Sequence, residues 1–198
     1  MEPMKGFKFD TMKPLLESQG IETTMHARGI SVDIDVTGWR ECYKDDVSLL
    51  DAQARYLGVV PKKDGVFEIK KPWIKVEADP LTKGRIIFNR TPRYRNSKFP
   101  WKRVRDHFGD KALFIGTEAE HEAFCKEIGD IERYSTESCL DVAKAIQGSD
   151  YFVGNQSSSF WIAAALQKPL LQETFKPAPN SIVKYEGASY CADGLLPF

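Results

Sequence analysis

The chain has 198 residues, 42% of them hydrophobic, and its 28 basic side chains balance its 28 acidic ones. This length allows one ordinary domain, or one domain with a substantial additional segment, and the neutral net charge argues against a general nucleic-acid binder. No apolar run approaches the roughly 20 residues that span a bilayer. The first residues also lack the apolar stretch of a signal peptide, so we expect a cytoplasmic protein without a membrane span.

The early part of the chain, residues 1–78, predicts two short strands between helices. A helix is expected at residues 11–18, strands at 22–26 and 30–36, and a second helix at 48–57. Asp33 and Asp35 alternate along the second strand, so their carboxylates would lie on one side of it. Two such carboxylates can bind a metal, share a proton or simply be solvated, and the sequence leaves these alternatives open.

From residue 79 onward the pattern becomes regular, and residues 79–82 are the best boundary between two parts of the chain. Strands are predicted at residues 85–88, 112–115, 131–134, 151–153, 170–171 and 182–185, and helices at 100–108, 118–128, 138–147 and 157–166. Strands and helices that alternate at this spacing require parallel crossovers. Residues 79–198 are therefore predicted to form an α/β fold with a Rossmann-like, doubly wound parallel sheet, and residues 1–78 a short α/β N-terminal region.

The first predicted strand end carries a basic cluster. Between Lys83 and Arg105 there are nine Lys or Arg and no acid. In an open α/β sheet, ligands bind at the carboxyl ends of the strands. Guanidinium groups match phosphate oxygens, so the loop predicts an anion site. The candidate ligands there are Arg90, Thr91, Arg93 and Arg95. The alternative is a solvated basic face.

Two further strand ends are polar. Gly116 would let a ligand approach, and Glu120 can accept hydrogen bonds from ribose hydroxyls, although Thr117 and its acidic neighbours also suit ordinary helix capping. The third end opens an apolar helix, whose first amides can bind an anion. Plain capping by serine is the alternative there. The candidates at this third end are Asn155, Gln156, Ser157 and Ser158.

The sequence predicts neither a metal nor a cofactor. The four cysteines are widely spaced and form no zinc pattern with the three histidines, so reduced thiols are expected. A G-x-G-x-x-G turn after a strand and a P-loop are both missing, which disfavours dinucleotide oxidoreduction and P-loop NTPase chemistry. The serine-rich loop lacks the G-x-S-x-G elbow of a triad hydrolase.

Several motifs at these strand ends resemble those of glycosyltransferases with the GT-B fold. The segments are FNRTPRYRN, LFIGTEAEHEAF and LDVAKAIQGSDYFVGNQSSSFWIAAALQKPLL. They look most like the C-terminal, donor-binding domain of the ADP-heptose heptosyltransferase family. Gly116 and Glu120 match that family's Gly-x-x-x-Glu turn. Ser157 lies in the Gln-Ser-Ser that replaces its Asp-Thr-Gly, and Trp161 replaces its histidine.

The resemblance implies a glycosyltransferase-like protein that binds a nucleotide-sugar donor and transfers the sugar with inversion. A glycan or another hydroxyl-bearing molecule would be the acceptor, and Asp33 or Asp35 would be the candidate catalytic base. The resemblance also implies that residues 1–78 are a reduced acceptor-like region. That short region favours an alternative, a non-catalytic nucleotide-sugar-binding module or assembly subunit. The basic stretch leaves a transferase acting on DNA as a third reading, and homo-oligomerisation stays open.

Overall fold

The computed structural model describes residues 6–24, 37–43, 47–178 and 181–198. Within them lies one sheet of six parallel strands in the order β3-β2-β1-β4-β5-β6. The strands are β1 (Ile86–Asn89), β2 (Ala112–Ile115), β3 (Glu132–Tyr134), β4 (Tyr151–Asn155), β5 (Leu170–Glu173) and β6 (Ala188–Cys191). This order is that of a doubly wound sheet, so the predicted α/β fold class is confirmed.

Helices cover both faces of the sheet. They are α1 (Gly6–Ser18), α2 (Leu49–Tyr56), α3 (Trp101–Phe108), α4 (Glu118–Ile128), α5 (Cys139–Gly148) and α6 (Ser158–Ala165). The core on one face combines the sheet with α3 and α4, and the core on the other combines it with α1, α5 and α6. Helices α3 and α4 follow β1 and β2, whereas α5 and α6 follow β3 and β4, so the winding changes face between β1 and β4.

The central strands are apolar without alternation because both of their faces are buried. In β1, Ile87 points into the core that contains α5 and α6, while Ile86 and Phe88 point into the core that contains α3 and α4. The same division separates Phe152 from Val153 in β4. All four residues of β1, β2 and β5 are buried.

The described part of residues 1–78 rests on the sheet domain. Helix α1 begins at Gly6 rather than at the predicted residue 11, and it packs against α5. Leu15 on α1 is 2% exposed and shares the core of the sheet with Ile74. Four residues later, the Gln19 side-chain amide makes two hydrogen bonds with the backbone of Lys75. Its Nε2 donates to the Lys75 carbonyl over 3.0 Å, and its Oε1 accepts from the Lys75 N–H over 2.8 Å. The division of the chain at residue 79 stays a prediction.

Some predicted elements of this region differ from the structure or lie outside it. Residues 22–24 have no regular secondary structure, and residues 25–36 lie outside the described residues. The second predicted strand and both Asp33 and Asp35 therefore fall outside them. The helix predicted at residues 48–57 is α2, with Ser48 as its N-cap.

The last strand is displaced from its predicted place. Residues 182–185 form no strand, and β6 begins three residues later. Val183 is buried at 3% exposure and Tyr185 packs against the core, so their apolar character reflects packing of a loop. The Tyr190 hydroxyl bonds both the N–H and the carbonyl of Val183. That side chain takes the backbone bonds that a neighbouring strand would otherwise supply.

Among the described residues, no helix combines the length and the apolar character that crossing a membrane requires.

Candidate functional site

The three polar strand ends predicted from the sequence meet at Asn89, the last residue of β1. Its amide Nδ2 donates to the Ile115 carbonyl at the end of β2, over 2.9 Å. Its Oδ1 accepts from the Ser157 hydroxyl, just after β4, over 2.7 Å. Asn89 is 3% exposed. Because the strand order reverses between β1 and β4, this is the point where a doubly wound sheet opens a crevice for ligands.

The loop that follows β1, residues 90–100, is called the strand-end loop. Asn155, at the end of β4, holds its first turn. The Asn155 Oδ1 accepts from the Thr91 N–H over 3.0 Å, and the Nδ2 donates to the carbonyls of Thr91, over 3.0 Å, and Arg93, over 2.6 Å. Asn155 is fully buried, and these bonds satisfy an amide that would be costly to bury alone. Its role in the structure is to shape the loop.

A buried carboxylate, Glu173 at the end of β5, holds the rest of the strand-end loop. Arg90 meets it with two bonds, Nε to Oε2 over 3.1 Å and Nη2 to Oε1 over 3.2 Å. The Trp101 indole donates to Oε2 over 2.9 Å, and the Asn96 N–H donates to Oε1 over 2.7 Å. Glu173 is 0% exposed and Arg90 is 4% exposed. A buried charge requires such complete pairing, since desolvation alone would be strongly unfavourable.

Arg90 remains charged in this environment. Burial by itself would lower the pKa of its guanidinium, but the hydrogen bonds and charge of Glu173, followed by the nearby carboxylate of Glu127, outweigh it and raise that pKa above the ordinary value. Arg90 Nη1 lies 2.8 Å from Glu127 Oε1, a charge contact without the alignment of a hydrogen bond. Arg95 Nη1 lies 3.4 Å from the other oxygen of Glu127, and Arg95 Nε donates to the Thr91 carbonyl. Both guanidinium groups, expected to bind phosphate, thus face carboxylates of the chain itself.

The tip of the strand-end loop is different, because its side chains are exposed. Pro92, Arg93 and Tyr94 all face solvent. Tyr94 has a φ of 55°, an uncommon backbone conformation for a bulky residue, and its ring packs 5.9 Å from that of Phe175. The Arg93 guanidinium lies 5.7 Å from the Tyr94 ring, and Arg93 makes no ion pair with any described residue. The loop tip therefore presents an arginine that has no ion-pair partner in the part of the chain that the structure describes.

At the second strand end, Gly116 has a φ of 149°, and a Cβ there would lie 2.9 Å from Phe114 Cε1 and 3.0 Å from Glu120 Oε2. Only glycine fits this approach. Glu120 Oε2 accepts from the Thr117 N–H over 2.9 Å and from its hydroxyl over 3.0 Å, closing a capping box at the start of α4. One carboxylate oxygen of Glu120 therefore takes part in helix capping, which the sequence left open as the alternative to ribose binding.

The third strand end divides between buried and exposed residues. Gln156 is buried and its Nε2 donates to the Ala178 carbonyl over 2.7 Å. Ser157 caps α6, since its hydroxyl also accepts from the Phe160 N–H over 3.2 Å. Ser158, the first residue of α6, is exposed. Of the four candidates at this end, Ser158 therefore offers the most accessible side chain.

Two residues that organise the site were missed at the level of sequence, Asn89 and Glu173. Asn89 ends an apolar strand, a position that could have identified it. Glu173 carries no such signal, since nothing in the sequence links it to Arg90, 83 residues away. No group of three or more His, Cys, Asp or Glu in the described ranges could hold a metal ion.

Comparison with known proteins gives distant structural similarity. No protein-family model matches the sequence, and no curated protein does. A glycosyl transferase family 9 structure from Veillonella parvula DSM 2008 is 13% identical, with a TM-score of 0.45, over 71% of this chain and 48% of that one. The dodecameric iron-containing heptosyltransferase TibC, in complex with ADP-D-beta-D-heptose, is 14% identical, with a TM-score of 0.48, over 98% of this chain and 55% of that one. The chain spans about half the length of each. These structural neighbours are glycosyltransferases, the class that the sequence motifs resemble.

Proposed function

We propose that the chain is a glycosyltransferase-like protein that binds a nucleotide-sugar donor at the crevice between β1 and β4 and transfers the sugar with inversion. The observation that carries this proposal is the convergence of three polar strand ends on Asn89, at the reversal of strand order. In sheets of this kind, that crevice is where nucleotides bind.

We assign direct contact with the donor to some of the candidate residues and positioning of the loop to others. Arg93 is exposed and unpaired among the described residues, so it is the proposed diphosphate ligand. The Ser158 hydroxyl, with the first N–H groups of α6, would add neutral donors. The Thr91 hydroxyl already donates to Asn155 Oδ1 over 3.3 Å, so it would contact a phosphate only by leaving that bond. Gly116 would let the donor approach the backbone, and the second oxygen of Glu120 would accept from the ribose. No metal is needed in this scheme, because an arginine and helix amides can neutralise a diphosphate.

A group of residues behind this surface would position the ligands without touching the donor. Arg90 and Arg95 are held by Glu173 and Glu127, and Asn155 holds the Arg93 carbonyl. Fixing the loop before the donor arrives lowers the entropy lost on binding. We therefore assign Arg90, Arg95 and Asn155 to positioning, and the phosphate contact to Arg93.

The second candidate function is a nucleotide-sugar-binding module that does not turn the donor over alone. Inversion requires a base that deprotonates the acceptor hydroxyl. Three carboxylates lie near the strand ends, those of Glu120, Glu127 and Glu173. Glu120 already accepts hydrogen bonds from Thr117, and Glu127 and Glu173 form ion pairs with Arg90, so none of them is assigned as the base. Asp33 and Asp35 remain the proposed base, and the module is favoured if neither reaches the donor.

Calorimetric titration with UDP, GDP, ADP and CMP, and then with their sugar conjugates, tests the proposal. We expect one nucleotide of this panel to bind, followed by release of that nucleotide when the matching sugar donor meets a hydroxyl acceptor. Binding without product across an acceptor panel would establish the module instead. If no nucleotide binds to protein that is folded by circular dichroism, the donor-site proposal is overturned.

A further inference from the structure

A cavity of about 290 Å³ lies beside the candidate site, between α1, the segment around Trp73 and α6. Three separate pieces of the chain build its walls. The lining residues that the inference uses are Met12, Gln19, Trp73, Ser158, Trp161 and Ile162. Trp73 is 60% exposed, so a large apolar surface at this cavity faces solvent. The candidate site described above shares only Ser158 with the lining of this cavity.

The cavity lining is unsuited to a charged or strongly polar group. None of its side chains is ionisable, and the polar ones belong to Gln19 and Ser158. The Gln19 amide is already engaged by the backbone of Lys75 and by the Ser18 hydroxyl. The polar groups left to a ligand are the Ser158 hydroxyl and the indole N–H groups of Trp73 and Trp161. These are too few to replace the water around a phosphate or the hydrogen-bonding edge of a nucleobase, whose burial is then strongly unfavourable. The lining therefore selects an apolar group.

The size and shape of the cavity narrow the choice further. Pockets for small ligands occupy about 300–1,000 Å³, so this one, at the lower end of that range, suits a small molecule or one part of a larger one. Trp73 and Trp161 contribute large aromatic surfaces, which pack well against rings and branched chains. An uncharged aromatic or branched aliphatic group satisfies both limits.

Ser158 connects the cavity to the strand ends. It lines the cavity and is also the first residue of α6, directly after Ser157, whose hydroxyl bonds Asn89. We propose that the cavity binds an uncharged apolar group, aromatic or branched aliphatic, carried by the hydroxyl-bearing acceptor. The polar end of that molecule then lies toward Ser158 and the crevice. The identification of the ligand as the acceptor rests on the proposed function, whereas binding of an apolar group by the cavity does not.

Titration with N-phenyl-1-naphthylamine, an uncharged fluorescent aromatic amine, tests the cavity directly. Saturable, blue-shifted fluorescence is expected with the unmodified protein. Trp73→Ala removes one wall and Met12→Trp fills the space, so each should weaken binding at least about tenfold. Leu195→Ala, which removes a residue that is 76% exposed and outside the cavity, is the matched control and should leave binding unchanged.

Two ligand series distinguish the sources of such a group. Phenyl and naphthyl glycosides represent aromatic acceptors, and short branched prenyl alcohols represent aliphatic ones. Displacement of the fluorophore by either series, with Trp73→Ala lowering that displacement, supports the inference. A nucleoside diphosphate should bind alongside the fluorophore rather than displace it, and its own failure to bind would count against the donor site alone.

Three results would overturn the inference. One is the absence of saturable fluorophore binding to folded protein. Another is equal binding by the unmodified protein and Trp73→Ala, a variant that changes an exposed side chain and should still fold. The third is loss of the fluorophore on dimerisation in sedimentation experiments, since the cavity would then be a contact between two copies of the chain.

Discussion

The buried base and the exposed tip of the strand-end loop carry the same kind of charge but use it differently. At the base, Arg90 and Arg95 are neutralised by Glu173 and Glu127. At the tip, Arg93 extends into solvent beside Tyr94. A basic cluster in a sequence is therefore not a basic surface. The charges of Arg90 and Arg95 pair with carboxylates and hold the loop in shape. The charge of Arg93 remains accessible to a ligand.

The strongest way to break this comparison is to remove the buried carboxylate. Glu173→Ala leaves the Arg90 guanidinium buried beside a single partly exposed glutamate, and it also removes the acceptor of the Trp101 indole and the Asn96 N–H. Leaving one partner of a buried ion pair uncompensated costs about 3–5 kcal/mol. Urea unfolding should show a loss of this size in the free energy of unfolding.

Glu132→Ala is the matched control for that substitution. Glu132 also pairs with an arginine, Arg85, over 2.7 Å, but its side chain is 65% exposed. An exposed pair contributes only about 0–1 kcal/mol, so this variant should be nearly as stable as the unmodified protein. An equal decrease in the free energy of unfolding for the two variants would show that the buried Arg90–Glu173 pair stabilises the fold no more than an exposed pair does.

Replacing the amide that holds the first turn of the loop should have a smaller effect. Asn155→Ala removes the partner of the Thr91 N–H and of the carbonyls of Thr91 and Arg93. Groups left unsatisfied in this way cost about 1–3 kcal/mol. Amide hydrogen exchange at Thr91 should accelerate in parallel. Unchanged exchange together with unchanged stability would refute the role assigned to Asn155.

The smallest expected effect concerns the second strand end. Thr117→Ala removes the capping box with Glu120 and should cost about 1 kcal/mol of stability. Thr117→Ser keeps the hydroxyl and should recover most of the loss in thermal unfolding. If Thr117→Ser does not restore the stability, the hydroxyl cap is not the stabilising feature. The hydrogen bonds of Glu120 in the capping box would then contribute less to the stability of α4 than expected.

The sequence predicts the sheet well because its signals are local. Ile86 to Phe88 form a short, uninterrupted apolar run that is typical of a strand buried on both faces. Thr117 and Ser138 occupy the N-caps of α4 and α5. β6 was misplaced because Val183, in the loop before it, is as apolar as a strand residue. The hydroxyl of Tyr190 replaces the backbone partner there, and no local pattern reveals that substitution.

The candidate site is predicted only in part, since its organisation depends on contacts between distant residues. The three strand ends could be brought together from topology alone. The ion pair between Arg90 and Glu173 could not be predicted, because it depends on the positions of β1 and β5 in the folded sheet. The same holds for Asn155, which serves a loop more than 60 residues before it in the chain. Asp33 and Asp35 stay predictions.

Binding of a nucleoside diphosphate to Arg93→Ala, measured by calorimetry beside Arg103→Ala, tests the central claim most directly. Both arginines are exposed, but Arg103 lies on α3, outside the strand-end loop. Loss of charge-assisted bonds should weaken binding at least about tenfold in Arg93→Ala. The melting temperature of that variant and the affinity of Arg103→Ala should stay unchanged. Intact affinity in Arg93→Ala, or unfolding of that variant, would contradict the claim that the loop tip binds the donor.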